Sequence, residues 1–168
     1  MNTFLKNYLL KASLCLATGL LIGTTYISTA SAGSANASLA VGTTVAATCT
    51  ITGATLTFPN YSGSAVTGST TLGFTCTNGT SYTIGLDKGA NGSSVTTRQM
   101  KSGSNLLNYQ LQQTSGGANW GNTPGTDTPA AATATGVAQT KTVFGSIAAG
   151  QTPPLGTYAD TVVATINF

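Results

Sequence analysis

Apolar and polar positions alternate with period two along residues 156–168, as in a β-strand that packs one face on a core. A long apolar strand at the edge of a sheet invites association when it is left unpaired. We therefore expect this strand to pair on one side with a strand from another molecule. Its apolar face comprises Tyr158, Val162, Ala164, Ile166 and Phe168.

A second, longer alternation runs through residues 35–51. At about 3.3 Å per residue it would extend over roughly 50 Å, well beyond the usual length of one strand. We predict two parts: an N-terminal extension over residues 33–46, with Gly42 as a flexible point, and a first strand of the body through Cys49 and Ile51. The alternative is a mobile tail followed by one strand. The alternating face comprises Ala35, Ala37, Leu39, Val41, Thr43, Val45, Ala47, Cys49 and Ile51.

Short alternating blocks separated by Gly, Asn, Ser and Pro fill the chain between these ends, as in a sandwich or barrel of many short strands. Pro59 ends one of them because it removes a backbone donor. Asn78-Gly79 is a turn pair that we expect to close a hairpin. Helix is nearly absent, so the predicted class is all-β. The predicted strands are residues 54–59, 72–76, 82–86, 98–101 as a short polar edge strand, 107–111 and 140–147.

Residues 115–134 form a predicted long loop, because they are too poor in apolar residues to make an element of their own. The loop contains the single tryptophan, Trp120. We expect Trp120 to pack back on the edge of the sandwich as a lid. The alternative is a surface aromatic side chain that contacts a ligand.

The N-terminal residues 1–32 follow the three-part plan of a secretory signal peptide: two lysines, a short apolar run and a site of small residues. The alternative is a membrane anchor, but the apolar run is too short to span a bilayer. Cleavage after Ala32, Ala35 or Ala37 fits the pattern. We therefore predict export through the periplasm.

Charge and cysteine content limit the classes of function that the sequence permits. Charged residues make up 5% of the chain, and removal of the signal peptide nearly abolishes the basic excess, so no nucleic-acid surface is predicted. Cys49 and Cys76 are the pair that remains, in an oxidising compartment. We predict a disulfide that adds roughly 3 to 4 kcal/mol by the loop-entropy model. The alternative is two free thiols.

Side chains suited to catalysis or metal binding are scarce. The chain has no histidine, and its acidic residues are three aspartates that are isolated in sequence. Neither an acid-base pair nor a set of metal ligands is indicated, so we predict no enzyme, no metal site and no cofactor. Asp160 is better explained as a structural group near a corner at Tyr158, where it would accept backbone hydrogen bonds at the start of the strand.

Several stretches share the pattern of one known family. They are Thr48-Cys49-Thr50-Ile51, Leu72-Gly73-Phe74-Thr75-Cys76-Thr77, Leu107-Asn108-Tyr109-Gln110-Leu111 with Trp120-Gly121, Phe144-Gly145-Ser146-Ile147, and the ending Gly156-Thr157-Tyr158-Ala159-Asp160-Thr161 with Val162, Val163, Thr165 and Phe168. Together they resemble the spore coat protein U domain family, which includes subunits of archaic, Csu-type chaperone-usher pili. The resemblance spans most of the mature chain, and the ending is its most specific part. The Thr/Ala/Pro loop around residues 124–135 departs from some relatives.

This resemblance implies an incomplete immunoglobulin-like β-sandwich over residues 47–168, which lacks its last strand and is completed by donor-strand exchange. A periplasmic chaperone first fills the open groove. An outer-membrane usher then exchanges the chaperone strand for the N-terminal extension of the next subunit, which gives a head-to-tail filament. The strand that borders the groove contributes Val162, Ala164, Ile166 and Phe168.

The predicted donor strand is the bulky alternating run outside the body. The terminal carboxylate of the accepting strand would be anchored by basic residues of the chaperone, as a buried charge requires. The donor face comprises Leu39, Val41, Thr43 and Val45.

These features favour a structural subunit of a cell-surface pilus, with a role in surface attachment and biofilm formation. Its partners would be copies of itself or related subunits, a periplasmic chaperone and an outer-membrane usher. The alternative is a spore coat or matrix protein that uses the same strand exchange. A tip adhesin that binds a surface or a sugar is a third interpretation, weakened because the sequence shows no second, N-terminal binding domain.

Overall fold

Eight β-strands and no helix make up the part of the chain that the structure, a computed structural model, describes, which is residues 31–168. Residues 1–30 of the predicted signal peptide lie outside the described residues. Within residues 31–168 no helix is long and apolar enough to cross a membrane. The strands are β1 (Cys49–Thr52), β2 (Val66–Cys76), β3 (Ser81–Leu86), β4 (Arg98–Ser102), β5 (Asn105–Gln112), β6 (Ala132–Thr133), β7 (Gln139–Ile147) and β8 (Ala164–Asn167).

The strands form two antiparallel sheets with a shared core. One sheet has the order β1-β2-β7-β5-β4 and the other has the order β6-β3-β8. Phe74 on β2 and Tyr82 on β3 meet across the two sheets with ring centroids 4.8 Å apart. The expectation of an all-β sandwich is confirmed. The core comprises Leu72, Phe74, Cys76, Tyr82, Ile84, Leu86, Leu107, Tyr109, Leu111, Trp120, Ala134, Val143 and Ile147.

The period-two pattern places the predicted strand faces correctly. On β5 the side chains of Leu107, Tyr109 and Leu111 are buried, and the Asn and Gln residues at positions 108 and 110 between them are exposed. Burial of a large apolar side chain contributes about 1.5 to 3 kcal/mol, so an alternating strand gains stability only when its apolar face meets the other sheet. The strands predicted within residues 72–76, 82–86, 98–101, 107–111 and 140–147 are all present.

The strand predicted at residues 54–59 is wrong. This segment has no regular structure and instead packs Leu56 and Phe58 against the inner face of β2 and β7. Gly68 and Gly145 lie opposite each other there, and a Cβ on Gly145 would come within 2.7 Å of the Phe58 ring. Because the two glycines have no side chains, they leave room for Leu56 and Phe58 on this face of the sheet. The segment is therefore held by packing rather than by strand pairing.

Asn78-Gly79 forms the predicted turn, with Gly79 at φ 83°, but the predicted hairpin is wrong. The strands on either side, β2 and β3, belong to different sheets. Both sides of β2 are already paired, by β1 and by β7. The chain after the turn therefore pairs elsewhere, and Ala134 exchanges backbone hydrogen bonds of 2.9 Å with Gly79 and Thr80.

The predicted long loop 115–134 ends in a short strand that the sequence analysis missed. Strand β6 pairs with Ser81 and Tyr82 of β3. Two residues carry too little alternation to be recognised in sequence, and the pairing is set by the position of β3.

Candidate functional site

An apolar cavity of about 330 Å³ opens on the side of the sandwich where β1 and β8 are the edge strands of their sheets. It reaches the inner face of both sheets. The residues that line it within the described part of the chain include no charged side chain. Those on the strands include Ile51, Leu72, Leu86, Leu111, Val143 and Ala164.

Strand β8 has one free edge beside this cavity. It pairs with β3 through Gly85 opposite Thr165 and Thr83 opposite Asn167, and the Asp87 N–H donates to the Val163 carbonyl at 3.0 Å. In an antiparallel ladder, successive residues direct their backbone groups to opposite sides. The N–H and C=O groups of Val162, Ala164 and Ile166 therefore point away from β3. No strand among the described residues pairs with that side.

The predicted groove residues have their side chains on the core side of β8. Val162, Ala164 and Ile166 are half-buried and pack against the core. Phe168 follows them at period two, but it is 61% exposed. It lies one position beyond the last β3–β8 pair, which is Thr83 with Asn167, so no neighbouring strand covers its ring among the described residues.

The predicted single strand over residues 156–168 is wrong, because the segment changes sheets. Ala159 forms an antiparallel bridge with Lys101 on β4, at the edge of the five-stranded sheet. Further along, β8 pairs with β3 in the other sheet. Period-two alternation continues through the crossing, so the sequence pattern does not reveal it.

The N-terminal extension has no regular secondary structure from residue 31 to residue 48. The chain divides into two units after Gly42. In the first unit Leu39 is 87% exposed and Val41 88%, and in the second Val45 is 79% exposed and Thr43 is also exposed. The predicted donor face thus consists of three exposed apolar side chains and the exposed Thr43.

Thr77 marks the point where the extension joins the body. Its hydroxyl donates to the Ala46 carbonyl at 3.3 Å and accepts from the Thr48 N–H at 3.1 Å. The Thr77 N–H donates to the Thr48 carbonyl at 2.9 Å. The chain is therefore fixed from Ala46 onward.

The predicted disulfide is present between Cys49 and Cys76. The two residues are directly opposite each other in the β1–β2 ladder, with Cα atoms 4.1 Å apart. The bond ties the edge strand β1, which borders the cavity, to the centre of the sheet. Closing a loop over a sequence separation of 27 residues contributes roughly 3.5 kcal/mol in the loop-entropy model.

Tyr158 and Asp160, predicted as a structural corner, each hydrogen-bond to backbone groups, although the backbone donors to Asp160 are in the turn after β3 rather than at the start of the last strand. The Tyr158 hydroxyl donates to the Pro154 carbonyl at 2.9 Å, which closes the turn before the last strand. The Asp160 carboxylate accepts from the backbone N–H groups of Ala90 (3.0 Å) and Asn91 (3.2 Å) and from the Tyr109 hydroxyl (2.6 Å). Desolvation and the hydrogen bond to Asp160 raise the pKa of Tyr109.

Arg98 is the structural residue that the sequence analysis missed, because it assigned β4 as a polar edge strand. The side chain is fully buried. Its guanidinium donates to four backbone carbonyls, those of Leu86 (2.8 Å), Asp87 (2.8 Å), Val95 (2.9 Å) and Trp120 (2.7 Å). An available clue is that Arg98 is the single arginine in a chain with few charges.

The acidic residues of the chain offset the Arg98 charge. Burial lowers the pKa of the guanidinium, and Tyr109 and the carboxylates of Asp87, Asp127 and Asp160 act in the opposite direction. These carboxylates are also all the acidic side chains in the sequence. A buried charge without such compensation would be strongly destabilising.

Trp120 is a core residue rather than a lid at the edge. It is 1% exposed, and its indole N–H donates to the Ile84 carbonyl at 2.7 Å. Because the ring is buried, the alternative of a surface aromatic that contacts a ligand is wrong.

Asp127 has a structural role in its loop. The Asp127 carboxylate accepts from the Thr123 N–H at 2.7 Å within its own loop. Among residues 31–168, no group of three or more His, Cys, Asp or Glu side chains is placed to hold a metal ion. The arrangement that remains is an open, apolar strand edge suited to binding another strand.

Residues 35–165 match the model of one protein family, described as the Spore Coat Protein U domain. The chain belongs to the Spore Coat Protein U domain family. No curated protein matches the chain by sequence.

Two solved structures are similar to this Spore Coat Protein U domain chain, one of them only weakly. One is the CsuC-CsuE chaperone-tip adhesion subunit pre-assembly complex from archaic chaperone-usher Csu pili of Acinetobacter baumannii, with 24% identity and a TM-score of 0.57 over 74% of this chain. The other is a chaperone-tip adhesin complex of CFA/I fimbriae biogenesis, with 15% identity and a TM-score of 0.37 over 70% of this chain. In both cases the match spans 41% of the matched chain's length. The first similarity supports the fold, and the second is too weak to add to it.

Proposed function

We propose that the chain is a structural subunit of a chaperone-usher pilus that polymerises by donor-strand complementation. Residues 33–46 of one copy would insert beside β8 of the next and complete an immunoglobulin-like sandwich over residues 47–168. The observation that carries this proposal is the combination of a free β8 edge above an apolar cavity with an exposed apolar run at the other end of the chain.

Insertion has two favourable contributions, apolar burial and backbone pairing. Burial of Leu39, Val41 and Val45 would contribute about 1.5 to 3 kcal/mol each. Each backbone hydrogen bond to the free edge adds about 0.5 to 1.5 kcal/mol, which offsets part of the roughly 1 to 2 kcal/mol needed to order each residue of the extension. The alternating side chains would also set the register of the inserted strand.

The proposal also assigns partners and a location. A signal peptide over residues 1–32 directs export, a periplasmic chaperone covers the β8 edge, and an outer-membrane usher exchanges it for the extension of another subunit. Basic residues of the chaperone would hold the terminal carboxylate of Phe168. The assembled filament would lie at the cell surface and serve attachment and biofilm formation.

A coat protein is the second candidate function, because the family is described by a spore coat domain. Both functions use the same strand exchange, so they differ in the form of the assembly. Electron microscopy of cells that express the complete operon separates a thin filament from a deposited layer.

Deletion of residues 33–45 tests the proposal itself. The deleted chain keeps Ala46, which is the first residue fixed to the body, and keeps the disulfide. We expect export and chaperone binding to persist while filaments disappear. Filaments of normal number and length after the deletion would refute strand donation.

A further inference from the structure

The crossing of the C-terminal segment between the sheets has an unusual hydrogen-bond arrangement at its end. An antiparallel rung normally has two reciprocal N–H to C=O bonds. At the rung of Asp87 and Val163 only one is present, from the Asp87 N–H to the Val163 carbonyl at 3.0 Å. The Asp87 carbonyl instead accepts from Arg98 Nε at 2.8 Å, and the Val163 N–H donates to the Asp87 carboxylate at 2.9 Å.

This exchange makes Arg98 part of the support of β8. The buried Arg98 guanidinium bonds to the Asp87 carbonyl, which in a regular ladder would accept from the Val163 N–H. The Asp87 carboxylate accepts from the Val163 N–H instead. Gly89 N–H also donates to the same Asp87 oxygen at 2.8 Å, which fixes the carboxylate in position. The regular β3–β8 ladder ends at this rung. One further backbone hydrogen bond, from the Ala90 N–H to the Thr161 carbonyl at 3.0 Å, precedes the crossing to the other sheet.

Asp160 holds the crossing from both sheets. On one side it accepts from the backbone N–H groups of Ala90 and Asn91, in the turn that follows β3. On the other side it accepts from the Tyr109 hydroxyl on β5, in the five-stranded sheet. A Cβ on Gly89 would collide with the Asp160 carboxylate, so the close approach requires glycine there.

We infer that Arg98, Asp87, Asp160 and Tyr109, here called the crossover anchor, are positioning residues that hold the open edge of β8 in place while no strand occupies its other side. The inference rests on the proposed function, in which this edge accepts a strand. Strand β8 has four residues and one pairing partner among the described strands. A short edge strand makes few ladder hydrogen bonds, so contacts that fix the start of β8 add to what the ladder supplies.

The anchor would matter for binding because only a docked β8 can accept a strand in register. If β8 is docked for a fraction of the time, the apparent affinity for a donor falls by that fraction. The crossover anchor would therefore set the affinity of the open subunit without touching the donor.

A matched pair of substitutions tests the inference. Tyr109→Phe removes the hydroxyl bonded to Asp160, and Tyr61→Phe removes a hydroxyl bonded to the Ala148 carbonyl and the Gln151 N–H, outside the anchor. Each full-length variant is separated from its co-expressed chaperone, and amide hydrogen exchange is measured on the free subunit, in which the β8 edge is open. A hydrogen bond to a charged group is worth enough that we expect Tyr109→Phe to speed exchange of the Thr165 and Asn167 amides about tenfold or more.

The control separates local from general destabilisation. Tyr61→Phe should leave exchange in β8 unchanged. In the centre of β2 and β7, the two variants should have the same effect on exchange. Asp160→Ala removes every hydrogen bond of that carboxylate and should give a larger effect confined to the same amides. Equal β8 exchange in the two tyrosine variants, or a uniform increase over all strands, would overturn the inference.

A second measurement distinguishes this inference from the proposed function. A synthetic peptide of residues 33–46 is added to the chaperone complex of each full-length chain, and its uptake and the release of the chaperone are followed. Failure of the wild-type complex to take up peptide would contradict strand donation, while the exchange data would still test the anchor. Uptake by wild type and Tyr61→Phe, with weaker uptake by Tyr109→Phe, is the expected result, and equal uptake by all three would contradict the anchor's role in binding.

Discussion

Substitution of Val41 by Asp gives the sharpest test of strand donation. Val41 is 88% exposed in the described chain, and an exposed substitution usually changes folding stability by less than about 0.5 kcal/mol. In the cavity beside β8 the same change loses about 1.5 to 3 kcal/mol of apolar burial. The residues that line the cavity include no charged side chain to pair with the new carboxylate, which adds a cost of several kcal/mol.

The combined cost predicts loss of assembly with retention of folding. A penalty of roughly 5 kcal/mol would weaken strand binding by more than a thousandfold. We expect the Val41→Asp chain to be exported and to co-purify with its chaperone, but to form no filaments by electron microscopy and no ladder of multimers on gels of unheated samples.

Val137→Asp is the matched control, because Val137 is also an exposed valine, at 64%, but lies in the loop before β7. It introduces the same charge without entering the proposed contact, so filaments should persist. Normal filaments in the Val41→Asp chain, or equal loss in both variants, would refute the assignment of Val41 to the donor face.

Four further predictions follow from the described contacts. Removal of Ile166 to Phe168 should abolish chaperone capture, because it deletes half of the β8 edge; co-purification at normal yield would exclude β8 as the docking edge. Mass spectrometry without reduction should show Cys49 joined to Cys76, and Cys49→Ser should lower the amount of exported subunit by freeing β1. Residues 37–46 appended after Phe168 through a flexible linker should fill the subunit's own groove, giving a monomer with a higher unfolding temperature; an unchanged temperature would argue against the groove. Burial raises the pKa of Tyr109, so its stabilising effect should be complete below pH 10, the ordinary tyrosine value, and should decline as pH rises above it; Tyr109→Phe should lessen this alkaline decline in urea unfolding, and the part that remains is expected from Tyr82, whose pKa burial also raises.

The period of the side chains was enough to establish the all-β class and the faces of the main strands. Alternation reports which side chains share a face, and this property is local in sequence. The two cysteines that lie outside the predicted signal peptide also identified the disulfide, because two residues permit one pairing. The same reasoning found the β8 face at Val162, Ala164 and Ile166, and the exposed run that ends at Val45.

The choice of neighbours was decided by tertiary structure. Asn78-Gly79 specifies a turn but not which sheet the next strand joins, because that depends on the strands that already occupy both sides of β2. Segment 54–59 packs against the sheet instead of pairing as a strand. It can do so because Gly68 and Gly145, which are distant in sequence, pair on β2 and β7 and leave room for its side chains.

The burial of Arg98 is the clearest case of a feature that the sequence alone does not predict. A charged residue enters a core only where carbonyls and opposite charges converge on it, and here they come from Leu86, Asp87, Val95 and Trp120 and from the three aspartates of the chain. The sequence by itself determined that the last strand is apolar on one face. Only the folded chain determined that this strand changes sheets, because the groups that fix the crossing come from separate strands and loops that meet in space.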